Sequence, residues 1–451
     1  MRNKKGSAGV LMALLTISLS TAILSSILVI RNLVINSESR TFGQIWTKAI
    51  LSEYDKHLFQ DYRLLAFFGN NTQVAKRIAY YQNYSMAGKM NIQLKNISTE
   101  LNGYEMSDPD NFREAMDNSF GTEAIESLLK KEKRANRNNV KLSADGSKFD
   151  DAKAASSEKN ASTSKAERTR EIRNPWVVRT LPSHGEESGT EVSNVIETLK
   201  KQQGSNSIKD FLKNASSEIL FIRKYFNSAL MIADKKKHYF RNEWEYLVKG
   251  SMNDVTNLKS CRRRIFLIRN GMNLFYLYKD PAKVELVTSV AEIITPGPLG
   301  VATQAILMEA WAALESEQDV QDLLNGERVP IMKTADTWKT GLESVLNDNS
   351  MKEKLDEESQ KMLQEKEGEI QESIGETAQK TVTEGLTYED YLMILILATN
   401  SETRTLRVMD LVQINMKYRY YRDFNLAEYY GGVSFTMNVN GKKFSFEKEY
   451  Q

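Results

Sequence analysis

Residues 4–31 read KKGSAGVLMALLTISLSTAILSSILVIR, and the reading of this stretch decides the fold. The 23 residues from Ala8 to Ile30 carry no charge. At helical rise they would cover roughly 34 Å, enough for the hydrocarbon core of a bilayer. Arg2, Lys4 and Lys5 precede the run and Arg31 ends it. By the bias of basic flanks toward the cytoplasm, residues 1–7 form a cytoplasmic basic tail and everything after Arg31 faces outward. A cleaved secretory signal is the main competitor. Such a signal ends its apolar stretch after about 7 to 15 residues at a small-residue exit. Ser20-Thr21-Ala22 is a weak exit of this kind, but the apolar run continues through Ile30. A buried core helix rarely goes so far without a charge, and no Cys directly follows the run to hold a lipid. A retained transmembrane helix over 8–30 is therefore expected. Ser18, Ala22 and Ser26 recur every four residues, which places three small side chains in one stripe where a second membrane helix can approach.

The remaining composition describes a folded protein: 41% hydrophobic and 27% charged residues, with 61 Lys+Arg against 59 Asp+Glu. Such balance excludes a strong field for nucleic acid or an acidic ligand. The lone Cys261 excludes an internal disulfide framework even for a chain outside the membrane, and this cysteine usage fits exported proteins of Gram-positive bacteria.

Working outward, apolar residues continue at helical spacing through Leu33, Ile45, Ala49, Tyr54, Leu58, Tyr62 and Leu65. This predicts that the membrane helix extends as a stem into the domain until Gly69-Asn70-Asn71. Thr72 caps a second helix to about Ser85. Residues 90–101 read as a strand with a bulge, and Ser107-Asp108-Pro109 starts another helix. Residues 131–205, poor in aromatics and rich in Lys, Asn, Ser, Ala and Glu, read as a mostly disordered insertion. Within it, Asn174-Pro175-Trp176-Val177-Val178 can dock locally. Leu181-Pro182-Ser183-His184-Gly185 resembles a sortase signal but lacks its Thr and the following tail.

Order returns with a helix from Ile208 to about Ala233. The alternation in residues 238–248 favours a strand. Val255, Leu258, Cys261, Ile265, Ile268, Met272 and Phe275 give the clearest amphipathic helix. Asp280-Pro281 opens a helix to Ile294, and Thr295-Pro296-Gly297-Pro298 turns the chain into a long one from Leu299 to Leu324. A short helix contains Trp338, Leu342 and Val345. Residues 350–376 read as a solvated, charged helix. Core helices follow at Tyr388–Ala398 and Glu402–Tyr421, and Asn440-Gly441 between two alternating runs marks a C-terminal hairpin. The expected class is α+β, mainly α. The transmembrane helix leads into a helical extracytoplasmic domain, made of residues 31–130 and 206–451, with a small antiparallel sheet. The strands near 90–101 and 237–249 and the hairpin are expected to share that sheet.

No catalytic constellation stands out. His57, His184 and His238 lie far apart, none with metal-ligand spacing, and neither a phosphate loop nor a nucleophile elbow occurs. Cys261 precedes Arg262-Arg263-Arg264, cations that would favour a thiolate, but it falls on the apolar stripe and reads as a buried structural thiol. Glu243 and Glu245 would share a strand face. No enzyme activity, cofactor or metal is expected.

The run Lys5-Gly6-Ser7-Ala8-Gly9-Val10 before a long apolar helix resembles the start of TadE/TadG-like pseudopilins of tight-adherence (Flp) pilus systems. The remainder resembles uncharacterised clostridial membrane proteins with that N-terminus. The matching landmarks include Glu53-Tyr54-Asp55, Glu243-Trp244-Glu245-Tyr246-Leu247 with Gly250, Asp280-Pro281, Trp311, Lys333, Asp390-Tyr391-Leu392 and Arg407-Val408-Met409-Asp410-Leu411. The resemblance implies processing between Gly6 and Ser7. It also implies a non-enzymatic accessory or minor pilin-like role in a Tad-type pilus or surface secretion assembly. Its partners would be the lipid bilayer and other pilin-like or pilus-platform membrane proteins, not nucleic acid. Pilin-type precursors carry Glu at the fifth mature position, where this chain has Leu11, which weighs against a major pilin. A membrane-anchored binding or sensory domain unrelated to pili is the alternative.

Overall fold

A computed structural model describes residues 5–85, 94–119, 170–187, 191–201, 217–231, 238–347 and 385–450. They fall into two compact units, one of residues 1–119 with 425–451 and one of residues 120–424. The C-terminal hairpin thus completes the N-terminal unit, a partition that differs from the 31–130 and 206–451 division expected from the sequence.

The first unit is built on α1 (Lys5–Leu51), a single helix of 47 residues. Ile35, Ser39, Trp46 and Ile50 are buried and Phe42 half-buried, a spacing of three and four that lays one face onto the core. Leu33 and Ile45, expected on that face, are instead exposed. The stem also stops earlier than expected. Asp55 caps a new helix, α2 (Lys56–Tyr62), by accepting the His57 and Leu58 N–H groups. Arg63 ends α2 in the left-handed region at φ 59°. Strand β1 (Phe67–Phe68) and helix α3 (Asn71–Ser85) follow, with Asn70 rather than Thr72 accepting from the Gln73 N–H. Next come β2 (Leu94–Glu100) and α4 (Pro109–Ser119). From the chain's end come β3 (Tyr429–Tyr430), β4 (Gly432–Val439) and β5 (Lys442–Glu449).

These strands form a two-stranded pair, β1 with β3, and a three-stranded antiparallel sheet in the order β2-β4-β5. The register shift between Lys95 and Ser98 is the expected bulge, with Asn96 at φ 53°. Asn440 and Gly441 both have positive φ, as a tight hairpin turn requires. Val433, Phe435, Met437 and Val439 alternate inward from β4 and meet Ile35, Trp46 and Ile50 of α1 in one core.

The second unit is helical among its described residues: α5 (Pro175–Arg179), α6 (Val192–Lys201), α7 (Ser217–Tyr225), α8 (Glu243–Lys249), α9 (Asp254–Lys279), α10 (Pro281–Ile294), α11 (Gly300–Leu324), α12 (Leu342–Leu346), α13 (Tyr388–Ala398) and α14 (Ser401–Arg419). The predicted stripe of α9 is buried at Cys261, Ile265, Ile268 and Met272, while Val255 lies at the exposed end. α9, α10 and α11 enclose a core around Leu277, Val290, Leu307, Trp311 and Trp338.

Two expectations are corrected in this unit. Residues 238–248 contribute a helix, not a strand, so they are absent from the sheet. Every residue from Glu243 to Val248 is buried, and a helix buried all round displays no apolar period. Residues 170–187 and 191–201, expected in the disordered insertion, are folded: Leu181 is fully buried and Val195 and Leu199 nearly so. The rest of 131–205 and the charged stretch 350–376 lie outside the described residues.

Gly250 caps α8 at φ 77°, and a Cβ there would stand 2.6 Å from the guanidinium of buried Arg407. That guanidinium is held by the carbonyls of Leu247, Val248, Lys249 and Glu186 and has little room to move. Gly250→Ala therefore meets both backbone strain and a clash. Urea unfolding should register a loss of about 2 kcal/mol or more; an unchanged midpoint would show that the Arg407 clamp is not rigid.

Candidate functional site

Three features of the molecule bear on function: the apolar half of α1, the hollows of the first unit and the buried polar network of the second.

Every Leu, Ile, Val and Met from Val10 to Ile30 is 51–69% exposed. Each such side chain left in water forgoes about 1.5–3 kcal/mol of transfer free energy, so a surface of this extent calls for an apolar partner. The helix is long and apolar enough to cross a membrane, and it is the one such helix among the described residues. Its hydroxyls suit that medium. Thr16, Thr21 and Ser26 donate back to the carbonyls of Ala13, Ser18 and Ala22, leaving those donors satisfied within the helix. The Ser18, Ala22 and Ser26 stripe is exposed along α1. Gly6 and Ser7 lie in the first turns of the same helix.

The first unit has a hollow of about 60 Å³ between Arg63, Tyr104, Asn111, Glu114, Asn118 and Glu449. Sites for small organic ligands run to about 300–1,000 Å³, so this one suits little beyond water. A more open groove of about 360 Å³ between α3 and β2 reaches the low end of that range but presents a single charged side chain, Lys76.

The second unit buries an unusual number of charges, and their partners explain why. Glu243 accepts from the Asn227 N–H and the Asn415 amide, with His238 Nδ1 at 2.9 Å. Glu245 accepts from the Ala229 N–H and the Tyr388 hydroxyl. Asp254 takes the N–H groups of Arg241 and Asn242. Asp410 takes the Ser183 N–H and the Tyr246 hydroxyl. Arg170 donates to the carbonyls of His238 and Tyr239. Most of these groups bind the backbone of irregular segments at 183–186, 226–229 and 238–242, where no helix ladder satisfies the peptide groups. Glu243 and Glu245 do not face a common cleft. They are two residues apart on a helix, both fully buried, and both take N–H groups of the 226–229 segment, Glu243 that of Asn227 and Glu245 that of Ala229.

A second cluster joins α9, α11 and α13. Arg269 donates to Asp319, Asn273, the Tyr391 hydroxyl and the carbonyls of Pro330 and Ile331. Lys333 meets Glu315 and Asp319, and Glu315 also takes the N–H groups of Lys339 and Thr340. The segment 330–340 is thereby fastened to the helices. Cys261 is a buried free thiol, as expected, and burial pushes its pKa well above the ordinary range. In the adjacent basic triplet, Arg262 pairs with Glu317 and Arg264 donates to Ser260, while Arg263 is exposed. Among the described residues no three His, Cys, Asp or Glu side chains gather at metal-binding geometry. Sequence reasoning assigned no site to Arg269, Asp319, Lys333 or Glu315, of which Lys333 entered only as a landmark of the resemblance, because each lies among ordinary helix or loop residues. The signal was there only in the spacing of Glu315 and Asp319, one helical turn apart.

The chain belongs to a family of unknown function, DUF5702, whose model matches residues 152–441. The match takes in every described element of the helical unit and the chain through β4. It leaves out the apolar helix. No curated protein and no solved structure matches the chain.

Burial pushes the Glu245 carboxyl up to about 7, and those of Asp254 and Asp410 to about 6. An acid whose folded pKa is raised contributes stability that is present in full below its unfolded pKa and lost as pH rises through the folded value. For Glu245 the window runs from about 4.5 to about 7. One of its oxygens, Oε2, has no hydrogen-bond partner among the described residues, which fits a protonated acid. Urea midpoints should therefore fall between pH 5 and pH 8. Glu245→Gln should remove about 2 kcal/mol of that fall and stabilise the protein at pH 8. Parallel pH profiles for the two proteins would contradict this.

Proposed function

We propose that this protein is a single-pass membrane protein that holds its two folded units outside the cell. In that place it serves as a non-enzymatic accessory or minor pilin-like component of a Tad-type pilus or surface secretion assembly. The observation that carries the reading is the continuity of α1. One unbroken helix supplies both the exposed apolar surface from Val10 to Ile30 and the buried face at Ile35, Trp46 and Ile50. With no flexible joint between them, a lateral neighbour of the membrane half would fix the orientation of the sheet packed on the other half. A helix of that kind suits assembly with similar helices better than simple tethering. The resemblance of residues 5–10 to pseudopilin N-termini favours the same role.

The reading makes Ser18, Ala22 and Ser26 the contact stripe for neighbouring membrane helices and Gly6–Ser7 the processing site. The charged groups of the helical unit then serve its architecture, since their partners are chiefly backbone atoms of its own loops. Detergent extraction of the native membrane, followed by affinity purification, tests this. The full chain should bring down membrane partners with apolar N-terminal helices, and replacing Ser18, Ala22 and Ser26 together by Leu should cut their recovery at least severalfold. Equal recovery from the triple variant would remove the stripe from the account. Recovery of the chain alone from native membranes would remove the assembly role.

A further inference from the structure

Lys333, Glu315 and Asp319 are arranged for more than an ion pair. All three side chains are at most 1% exposed. Lys333 Nζ lies 2.5 Å from Glu315 Oε1 and 2.6 Å from Asp319 Oδ1. The contact to Oδ1 falls outside hydrogen-bond geometry, so the nitrogen is close to that carboxyl without being aligned as its donor. The other oxygen, Oδ2, accepts from two donors at once, Arg269 Nε and Asn273 Nδ2, each at 2.9 Å. A nucleophile, a base beside it and a pair of donors on the far oxygen of an acyl carbon make up the parts list of an acyl-transfer site.

We propose that Lys333 and Asp319 become joined by an isopeptide bond that the folded chain forms by itself. Glu315 relays one proton from the Lys333 ammonium to Asp319 Oδ1, turning a buried ion pair into an amine and a carboxylic acid. The amine attacks Cγ of Asp319, and the negative charge that develops on Oδ2 is held by Arg269 Nε and Asn273 Nδ2. Glu315 takes a second proton from the nitrogen and delivers it to Oδ1. The Cγ–Oδ1 bond breaks, water leaves, and an amide remains between Nζ and Cγ, with Glu315 again a carboxylate. Both protons shed by nitrogen end on the departing water, so the step balances without oxidant, reductant or activated co-reactant. What drives an otherwise sluggish condensation is fixed proximity, since groups held in reactive contact behave as though present at about 10⁵–10⁸ M. Condensation to a neutral amide also removes the cost of keeping the two buried charges out of water. The bond would staple the segment bearing Lys333 to α11, a useful property in a domain exposed to proteases and tension.

Intact mass of the purified full chain, measured on denatured protein, tests this. The references are Lys333→Arg, which cannot form the bond, and Lys442→Arg, an exposed-lysine control. Because masses are compared between chains sharing the same N-terminus, processing there cancels, and a misfolded variant still serves as a reference. After correction for the Lys-to-Arg difference, the wild type and Lys442→Arg should both be lighter than Lys333→Arg by the mass of one water. Glu315→Gln, which keeps the shape but loses the base, should show the full mass in fresh preparations. A wild type and a Lys333→Arg chain that differ only by the substitution would overturn the proposal and leave a buried ion cluster.

Discussion

The constraint on which the rest of this structure depends is that one helix must satisfy two solvents. From Val10 to Ile30, α1 needs an apolar medium on all sides. From Ile35 to Ile50 it needs a protein core on one side and water on the other. The change of medium occurs within about one helical turn, where Arg31 and Asn32 interrupt the apolar run. Below that point Trp46 and Ile50 pack with the inner face of β4, and Phe446 of β5 lies so close over Gly43 that a Cβ there would stand 2.2 Å from its ring. The helix is therefore part of the first unit's core and not an appendage to it. Removing it would strip the sheet of the surface that covers it.

The helical unit solves a different problem. Its described connecting segments carry many peptide groups that no helix ladder satisfies. Asp410 illustrates the solution: from α14 it takes the Ser183 N–H of a connecting segment and the Tyr246 hydroxyl, all within the interior. Buried charges of this sort add little net stability over an apolar core, but breaking one pair is costly because it strands the partner. They specify which loop meets which helix, and so hold a unit that has no disulfide to do so.

That division explains what was legible in the sequence. Helices with an apolar stripe and a wet face, such as α9, showed themselves through spacing. The hairpin at Asn440-Gly441 did so through turn chemistry, because two consecutive positive φ angles restrict the choice of residues. α8 was misread because Glu243 and Glu245 point inward, and alternation of charged and aromatic residues mimics a strand. Residues 170–201 looked too polar to fold because composition counts apolar area alone. Arg170, Ser183 and Glu186 dock through hydrogen bonds to distant residues, which no local window contains. The candidate site was legible only in the apolar half of α1. The cluster of Arg269, Glu315, Asp319 and Lys333 draws on three separated segments, so topology alone brings it together.

The central proposal is that α1 is at once membrane anchor and domain core, with the folded units outside. Labelling of intact cells with a membrane-impermeant maleimide tests it most directly, since Cys261 is buried and contributes little background. A cysteine at exposed Ser37 should react before lysis, and one at Ser18 should stay unreactive until the membrane is dissolved. Labelling of Ser37→Cys only after lysis, or ready labelling of Ser18→Cys in the intact membrane, would contradict the account.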